Sequence, residues 1–232
     1  MIKLIIFDFD DTIIDNRLSD YQGFVRPSKK LKISNPSINS IYQFRKQGLL
    51  AKDIVLKINE KNEKRISIQK FLKIRREFIN GIKVIEYFRL KQNMRSLLRF
   101  LKREQIRCVI CSVRNNRKII KKFCEQEKIL DYFEKIYLQD NLDMNITINN
   151  LQKRIFIKTR LIKKIKKEQK IKDNEILFVG NAIEDIESAT KTKINFIFFK
   201  NKYIPKSPKI NLKNIQTVSN MKNIKRKIKK IN

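Results

Sequence analysis

With 232 residues and a 41% apolar fraction, the chain can bury a sizeable core as one domain, or as one domain carrying a smaller insertion, which excludes wholesale disorder. Lys and Arg total 55 against 23 acids, a formal charge of +32 that would attract nucleic acid, acidic lipid or an anionic substrate. Most of these bases are scattered through helical periods, and Lys, Ile and Asn share A- and T-rich codons, so compositional bias is the reading adopted. Only the tail, KNIKRKIKK, is a concentrated basic run. No apolar run approaches the ~18 residues of a membrane span, and the N-terminus lacks the layout of a secretory signal. Three cysteines make no disulfide framework, so a reduced, cytoplasmic setting is expected. The absence of histidine excludes histidine triads and the usual zinc sites.

In chain order, IKLIIF (2–7) is a short continuous apolar run, the pattern of a strand buried on both faces. Residues 17–91 carry helical periods with no convincing buried strand; within them GFVRPSKKLKISNPS (23–37) is expected to be loop. MRSLLRFLKRE predicts a helix before a second strand, IRCVIC (106–111). Its Cys108 and Cys111 have CxxC spacing, but residues i and i+3 of a strand point to opposite faces, so both are read as core. NRKIIKKFCEQEKI predicts the next helix, KIYL (135–138) a weaker strand, and NLDMNITINN (141–150) a polar segment. TRLIKKIKKEQ is helical and leads into the strand EILFVG (175–180); INFIFF (194–199) is another strand. NKYIPKSPKIN (201–211) is loop-like, and the last stretch predicts one basic amphipathic helix. Strands alternating with helices of this length predict an α/β fold: a three-layer, Rossmann-like parallel sheet core, 1–16 and 92–232, with an inserted, mostly α-helical domain at 17–91.

The first strand ends in FDFDDTII, residues 7–14. Asp8 and Asp10 are two apart and leave an extended backbone on one face, at the strand's carboxyl end where open α/β sheets bind ligands. Two carboxylates within ~5 Å repel strongly unless a divalent cation neutralises them or one stays protonated. Either condition suits catalysis. A helix cap would not need two acids on one face.

DFDDT resembles the DxDxT motif of haloacid dehalogenase-like (HAD) phosphatases, and three further elements follow in that family's order. CVICS supplies a strand ending in Ser112, FIKTRLIKKI supplies Lys158 as a lysine opening a helix, and LFVGNAIEDIESA matches the GDxxxD frame at Gly180 and Asp185. The resemblance implies Asp8 as the nucleophile that forms an aspartyl-phosphate and Asp10 as the acid and base for leaving group and water. It implies Thr12, Ser112 and Lys158 as phosphate-binding residues. Mg²⁺ would be held by Asp8, the backbone carbonyl of Asp10 and the residues after Gly180, namely Asn181 and Asp185. The insertion at 17–91 would then be a helical cap that selects the substrate, a small phosphorylated metabolite. Asp10 argues against dehalogenation, which needs no leaving-group acid.

The local charge agrees with a cation site. Residues 1–16 hold Asp8, Asp10, Asp11 and Asp15 against Lys3, and residues 173–190 hold five acids and no base, with Glu187 expected to face solvent. Asn181 departs from the family's aspartate, so either Mg²⁺ affinity falls or Glu184 and Asp185 supply the missing charge. An unusually high Mg²⁺ requirement is therefore expected. Lys153 and Lys163 are alternatives to Lys158. Two other functions stay open: a phosphomutase, although Thr12 stands where those enzymes usually carry valine, and a decayed HAD-like protein that binds nucleic acid through its bases.

Overall fold

In a computed structural model, residues 1–62, 65–139, 151–200 and 215–231 are described. The polar segment 141–150 and the loop-like stretch 201–211 lie outside them. The described residues form two compact units, one of residues 1–15, 89–139, 151–200 and 215–231, the other of residues 16–88.

In the first unit, β1 (Leu4–Phe7) buries every residue. The chain leaves this unit through β2 (Ile14–Asp15). The helical unit then comprises α1 (Arg17–Lys30), α2 (Ile38–Lys46), α3 (Ala51–Glu60) and α4 (Ile68–Ile79). Return is through β3 (Arg89–Leu90), which pairs antiparallel with β2, Ile14 opposite Leu90 and Asp15 opposite Arg89. There follow α5 (Met94–Arg103), β4 (Arg107–Cys111), α6 (Arg117–Gln126), β5 (Lys135–Tyr137) and α7 (Leu151–Gln169). The chain continues with β6 (Ile176–Gly180), α8 (Ile183–Thr192), β7 (Asn195–Phe199), β8 (Gln216–Val218) and α9 (Met221–Ile231).

Six parallel strands form the main sheet in the order β5-β4-β1-β6-β7-β8. This is the three-layer α/β core that the alternation of strands and helices predicts. β1 lies between β4 and β6, where the strand order reverses, so the carboxyl ends of these three strands open on the crevice that such sheets use for ligands. On one face Leu4, Ile6, Val109, Cys111 and Phe178 pack against Ile157, Leu161, Ile162 and Ile165 of α7. Each such buried aliphatic or aromatic side chain contributes roughly 1.5–3 kcal/mol. Cys111 belongs to this cluster and Cys108 does not, in keeping with opposite faces of β4. Both thiols, and that of Cys124, are free, and burial pushes them up to about 12.

The helical unit has its own core of Phe24, Ile41, Ile54, Val55, Ile58 and Phe71. Here one expectation is corrected: residues 23–30 are helix, and only 31–37 are loop. Pro27 sits in the last turn of α1, where the hydrogen bond it deletes is offset by burial of Phe24, Val25 and Pro27 itself. Ser28 Oγ donates to the Phe24 carbonyl at 2.9 Å. Asp20 on α1 is clamped by Arg45 of α2 through both oxygens, at 2.8 Å each, and by Arg75 of α4 at 2.5 Å. The two guanidiniums hold the Asp20 carboxyl well below the usual carboxylate range, against the upward push of burial. Among the described residues no helix is long and apolar enough to cross a membrane.

Candidate active site

β1 delivers Asp8 to the sheet's carboxyl edge, with its amide still donating to Val179 of β6 at 2.9 Å. The chain then turns back sharply: the Ile13 and Ile14 amides both donate to the Phe9 carbonyl, at 3.0 and 3.1 Å. The turn places Asp11 at φ 55°, a left-handed conformation that Asp tolerates better than most residues. Asp10 therefore stands on a turn instead of continuing the strand, and the two acids find different cations.

Asp8 is 5% exposed and accepts from Lys158 Nζ, which also donates to Asp185 Oδ1 at 2.6 Å. Lys158 is 1% exposed, whereas Lys153 and Lys163 are exposed, so Lys158 is the lysine brought to the acids. It does not open its helix: α7 begins at Leu151, and Lys158 lies two turns inside, in the buried stripe of Ile155, Leu161, Ile162 and Ile165. Burial in that stripe directs its ammonium at the sheet edge, 5.6 Å from the Phe178 ring centroid.

One ammonium between two buried carboxylates is too little charge. Burial raises the Asp8 carboxyl to about 8 against the pull of Lys158, and the charges of Asp185 and Asp10 add to the rise. Burial works against the Lys158 ammonium, but Asp185 and Asp8 outweigh it and hold it protonated.

Asp185 Oδ2 accepts from the amides of Asn181 and Ala182, at 2.9 and 3.0 Å, and so caps α8. Gly180 makes room for this fold-back: a Cβ there would lie 2.6 Å from the Asp185 carboxyl carbon. Asp185, expected among the Mg²⁺ ligands, has both oxygens engaged here, by the helix end and by Lys158. Glu184 is buried and pairs with Arg154. Glu187 is exposed, as expected. Among the described residues no group of three or more Asp, Glu, Cys or His is placed to hold a metal ion.

Thr12 is fully buried, and its hydroxyl donates to Asn181 Oδ1 at 3.1 Å. Ser112, also buried, follows β4, its amide bonded to the Tyr137 carbonyl at 3.0 Å. The loop beyond it holds a residue the sequence reading missed. Arg114 donates from Nε to Asp10 Oδ2 at 2.8 Å and from Nη2 to Asp10 Oδ1 at 2.7 Å. One arginine among 55 basic residues carries no signal of its own; its place two residues past a strand-end serine is the cue that could have found it.

The donors available to a cation are the second oxygen of Asp8, the Asn181 amide oxygen and main-chain carbonyls of the turn. Such hard oxygens fit Mg²⁺, and a cation there would favour the ionised form of Asp8 that burial opposes, though with fewer formal charges than two aspartates would bring.

Asp8, Ser112 and Asn181 thus stand at the ends of three adjacent parallel strands, with a buried lysine aimed among them. The fold and site define a Rossmann-like α/β protein with a carboxylate–lysine centre at its switch point. The chain belongs to the haloacid dehalogenase-like hydrolases: that family's model matches residues 5–199. It is similar in fold to a haloacid dehalogenase-like family hydrolase from Streptococcus pneumoniae, with 16% identity, TM-score 0.73 and 98% of each chain covered. A predicted phosphoglycolate phosphatase from Haemophilus somnus gives 17% identity, TM-score 0.74 and 98% of each chain. The HAD-hydrolase YfnB from Bacillus subtilis, a structure described as bound to magnesium, gives 12% identity, TM-score 0.71 and 98% of each chain. No curated protein matches the chain.

Proposed function

We propose that the chain is a Mg²⁺-dependent phosphatase that hydrolyses a small phosphomonoester through an aspartyl-phosphate on Asp8. The observation that carries this reading is the buried Asp8–Lys158–Asp185 triad, in which one lysine serves two carboxylates. A free Asp8 oxygen attacks phosphorus as the bond to the leaving oxygen breaks, and Asp10 gives that oxygen its proton. Water then attacks the aspartyl-phosphate, Asp10 takes a proton from it, and Asp8 is released. Lys158 stabilises the negative charge gathered on Asp8 and the phosphoryl oxygens. Ser112 and Thr12 donate hydrogen bonds to those oxygens, Thr12 by turning from Asn181. Mg²⁺ would be held by Asp8, the Asp10 carbonyl and Asn181, and would supply the positive charge that lets an anionic nucleophile meet a phosphate dianion. Asp185 serves the site through Lys158. The helical unit, residues 16–88, acts as the cap that admits the ester.

The predicted phosphatase among the fold relatives supports the reaction class, and the magnesium-bound relative supports the metal. The test is turnover of p-nitrophenyl phosphate by the purified protein with and without Mg²⁺. Dependence on the metal supports the proposal; no turnover at any Mg²⁺ concentration ends it. A second reading, a basic chain that binds nucleic acid, draws on α9. Its apolar stripe, Met221, Ile224 and Ile228, is buried, and none of its six Lys and Arg residues has an acidic partner among the described residues. Binding to a generic RNA duplex that weakens steeply with salt would favour it.

A further inference from the structure

Helices α1 and α4 pack through Phe24 and Phe71, whose ring centroids are 6.3 Å apart. The same two helices and the segment after α4 line a cleft of about 680 Å³, and every residue lining it belongs to the helical unit. Its size falls in the roughly 300–1,000 Å³ range of small-molecule sites. Local spacing builds the walls. Ile74 and Phe78, four apart, share one face of α4, and Arg26 and Lys30, also four apart, share one face of α1. After α4 the Gly81 amide donates to the Phe78 carbonyl at 3.1 Å. A Cβ on Gly81 would lie 3.0 Å from the Glu77 carbonyl oxygen, so the bare glycine lets the chain hug the helix end and brings Ile82 and Lys83 to the cleft.

Two features of this lining call for a ligand. The first is carbon left in water: Ile74 and Phe78 are only half-buried, and Ile82 is 41% exposed. The second is charge without a counter-ion. The Arg26 guanidinium lies 4.6 Å from the Phe78 ring centroid, and its Nη2 donates to Tyr87 Oη at 3.0 Å. Its Nε is buried with no hydrogen-bond partner, and among the described residues no carboxylate pairs with it. A partly desolvated guanidinium without an anion is costly. Lys29, Lys30 and Lys83 are exposed around it and likewise have no acidic partner among the described residues. Glu77 is the single acid of the lining.

The lining also chooses between kinds of anion. Its side chains are charged or apolar, and none is a hydroxyl or an amide. A sugar phosphate or nucleotide would leave hydroxyls or a base edge unpaired against such walls. An inorganic anion would meet the bases and cover none of the carbon. An anion with an apolar body answers both features: its head meets Arg26 and the lysines, and its body covers Ile74, Phe78 and Ile82.

We propose that this cleft is a binding site for an amphipathic anion, a hydrocarbon chain ending in a carboxylate or a phosphate. The inference goes beyond the phosphatase reading and does not depend on it.

The test is isothermal titration of the full chain in EDTA with decanoate and with decyl phosphate, each below its micelle-forming concentration. The ligand whose head the guanidinium prefers should saturate at one per chain. It should bind about tenfold or more tighter than hexanoate or hexyl phosphate, because affinity follows the apolar area covered. Inorganic phosphate should bind still more weakly. Lys29→Glu combined with Lys83→Glu should weaken binding about tenfold, and Ile82→Asn about three- to tenfold. These side chains are exposed, so both variants should keep the wild-type Tm. A chain of +32 attracts any anion, so Lys229→Glu with Lys230→Glu makes the same change of charge on α9 as a control, and affinity should hold within about twofold. Independently of any variant, bound ligand should slow acetylation of Lys83 relative to Lys229 in wild type, read by mass spectrometry. Absence of saturable binding overturns the proposal, as does equal affinity for the short homologue. So does equal weakening by the α9 pair, unaltered binding by Lys29→Glu with Lys83→Glu or by Ile82→Asn, or acetylation slowed at both lysines alike.

Discussion

Each unit of the molecule buries an aspartate among cations, in opposite proportions. In the α/β unit one ammonium, that of Lys158, lies between two carboxylates, Asp8 and Asp185. In the helical unit one carboxylate, Asp20, lies between two guanidiniums, Arg45 and Arg75. Burial pushes both acids up, but only Asp20 has enough positive charge around it to be pulled below its ordinary value; Asp8 stays raised. Asp20 is thus satisfied by its own unit and joins three helices. Asp8 is left short of positive charge, the condition the proposed phosphatase reading asks of its nucleophile. The ratio of cations to carboxylates is what separates the two acids.

The sharpest break of this comparison is Asp8→Asn, which should lower p-nitrophenyl phosphate turnover by about 10³-fold or more, because the covalent step has no substitute nucleophile. A variant keeping a tenth of wild-type activity would put the reactive acid elsewhere. Next is Lys158→Ala, which leaves two buried carboxylates without their shared cation and should cost the α/β unit about 3–5 kcal/mol in chemical denaturation.

Asp20→Asn should cost the helical unit about 2–4 kcal/mol, since two arginines lose a desolvated partner. Its pH dependence has a definite sign. The native pKa of Asp20 lies below the unfolded value of 3.8, so its contribution is fully present above that value and is lost as pH falls through the lower native one. Asp8 behaves oppositely in EDTA: its native pKa is raised, so the folded chain holds a proton that the unfolded chain has lost. Its stabilising contribution therefore declines as pH rises from about 4 to about 8. Denaturation midpoints measured across pH 3–8 for wild type, Asp8→Asn and Asp20→Asn should show the two slopes vanish separately.

The smallest effect concerns Asn181. Wild type should need millimolar Mg²⁺, and Asn181→Asp, by adding a charged ligand, should lower the half-saturating concentration by about tenfold. Saturation of wild type at micromolar Mg²⁺ would show that the amide is no handicap.

Five of the six main-sheet strands could be read from the chain because each is a continuous apolar run, and a strand buried on both faces permits little else. β8 was missed: Gln216–Val218 is three residues with two exposed, too short and too polar for the pattern. β2 and β3 are two residues each and exist only because they pair. Pro27 and Pro36 argued for a loop over 23–37, and the packing of Phe24 against Phe71 and Ile41 made its first part helix. Lys158 was found through the resemblance, yet its position among Ile155, Leu161, Ile162 and Ile165 also marks it: a lysine on the apolar stripe must be paired inside. Arg114 and Arg154 had no such mark, since neither interrupts a periodic apolar face.

By itself the sequence determined which segments are buried strands and that two of them end in acids, because apolar runs and the charges that close them are local facts. Which cation each acid receives was decided only in three dimensions. Asp10 meets Arg114 from 104 residues away, and Asp185 turns back on its own helix end because Gly180 leaves the space. Pairing of this kind depends on where strand ends converge, and no spacing along the chain encodes it.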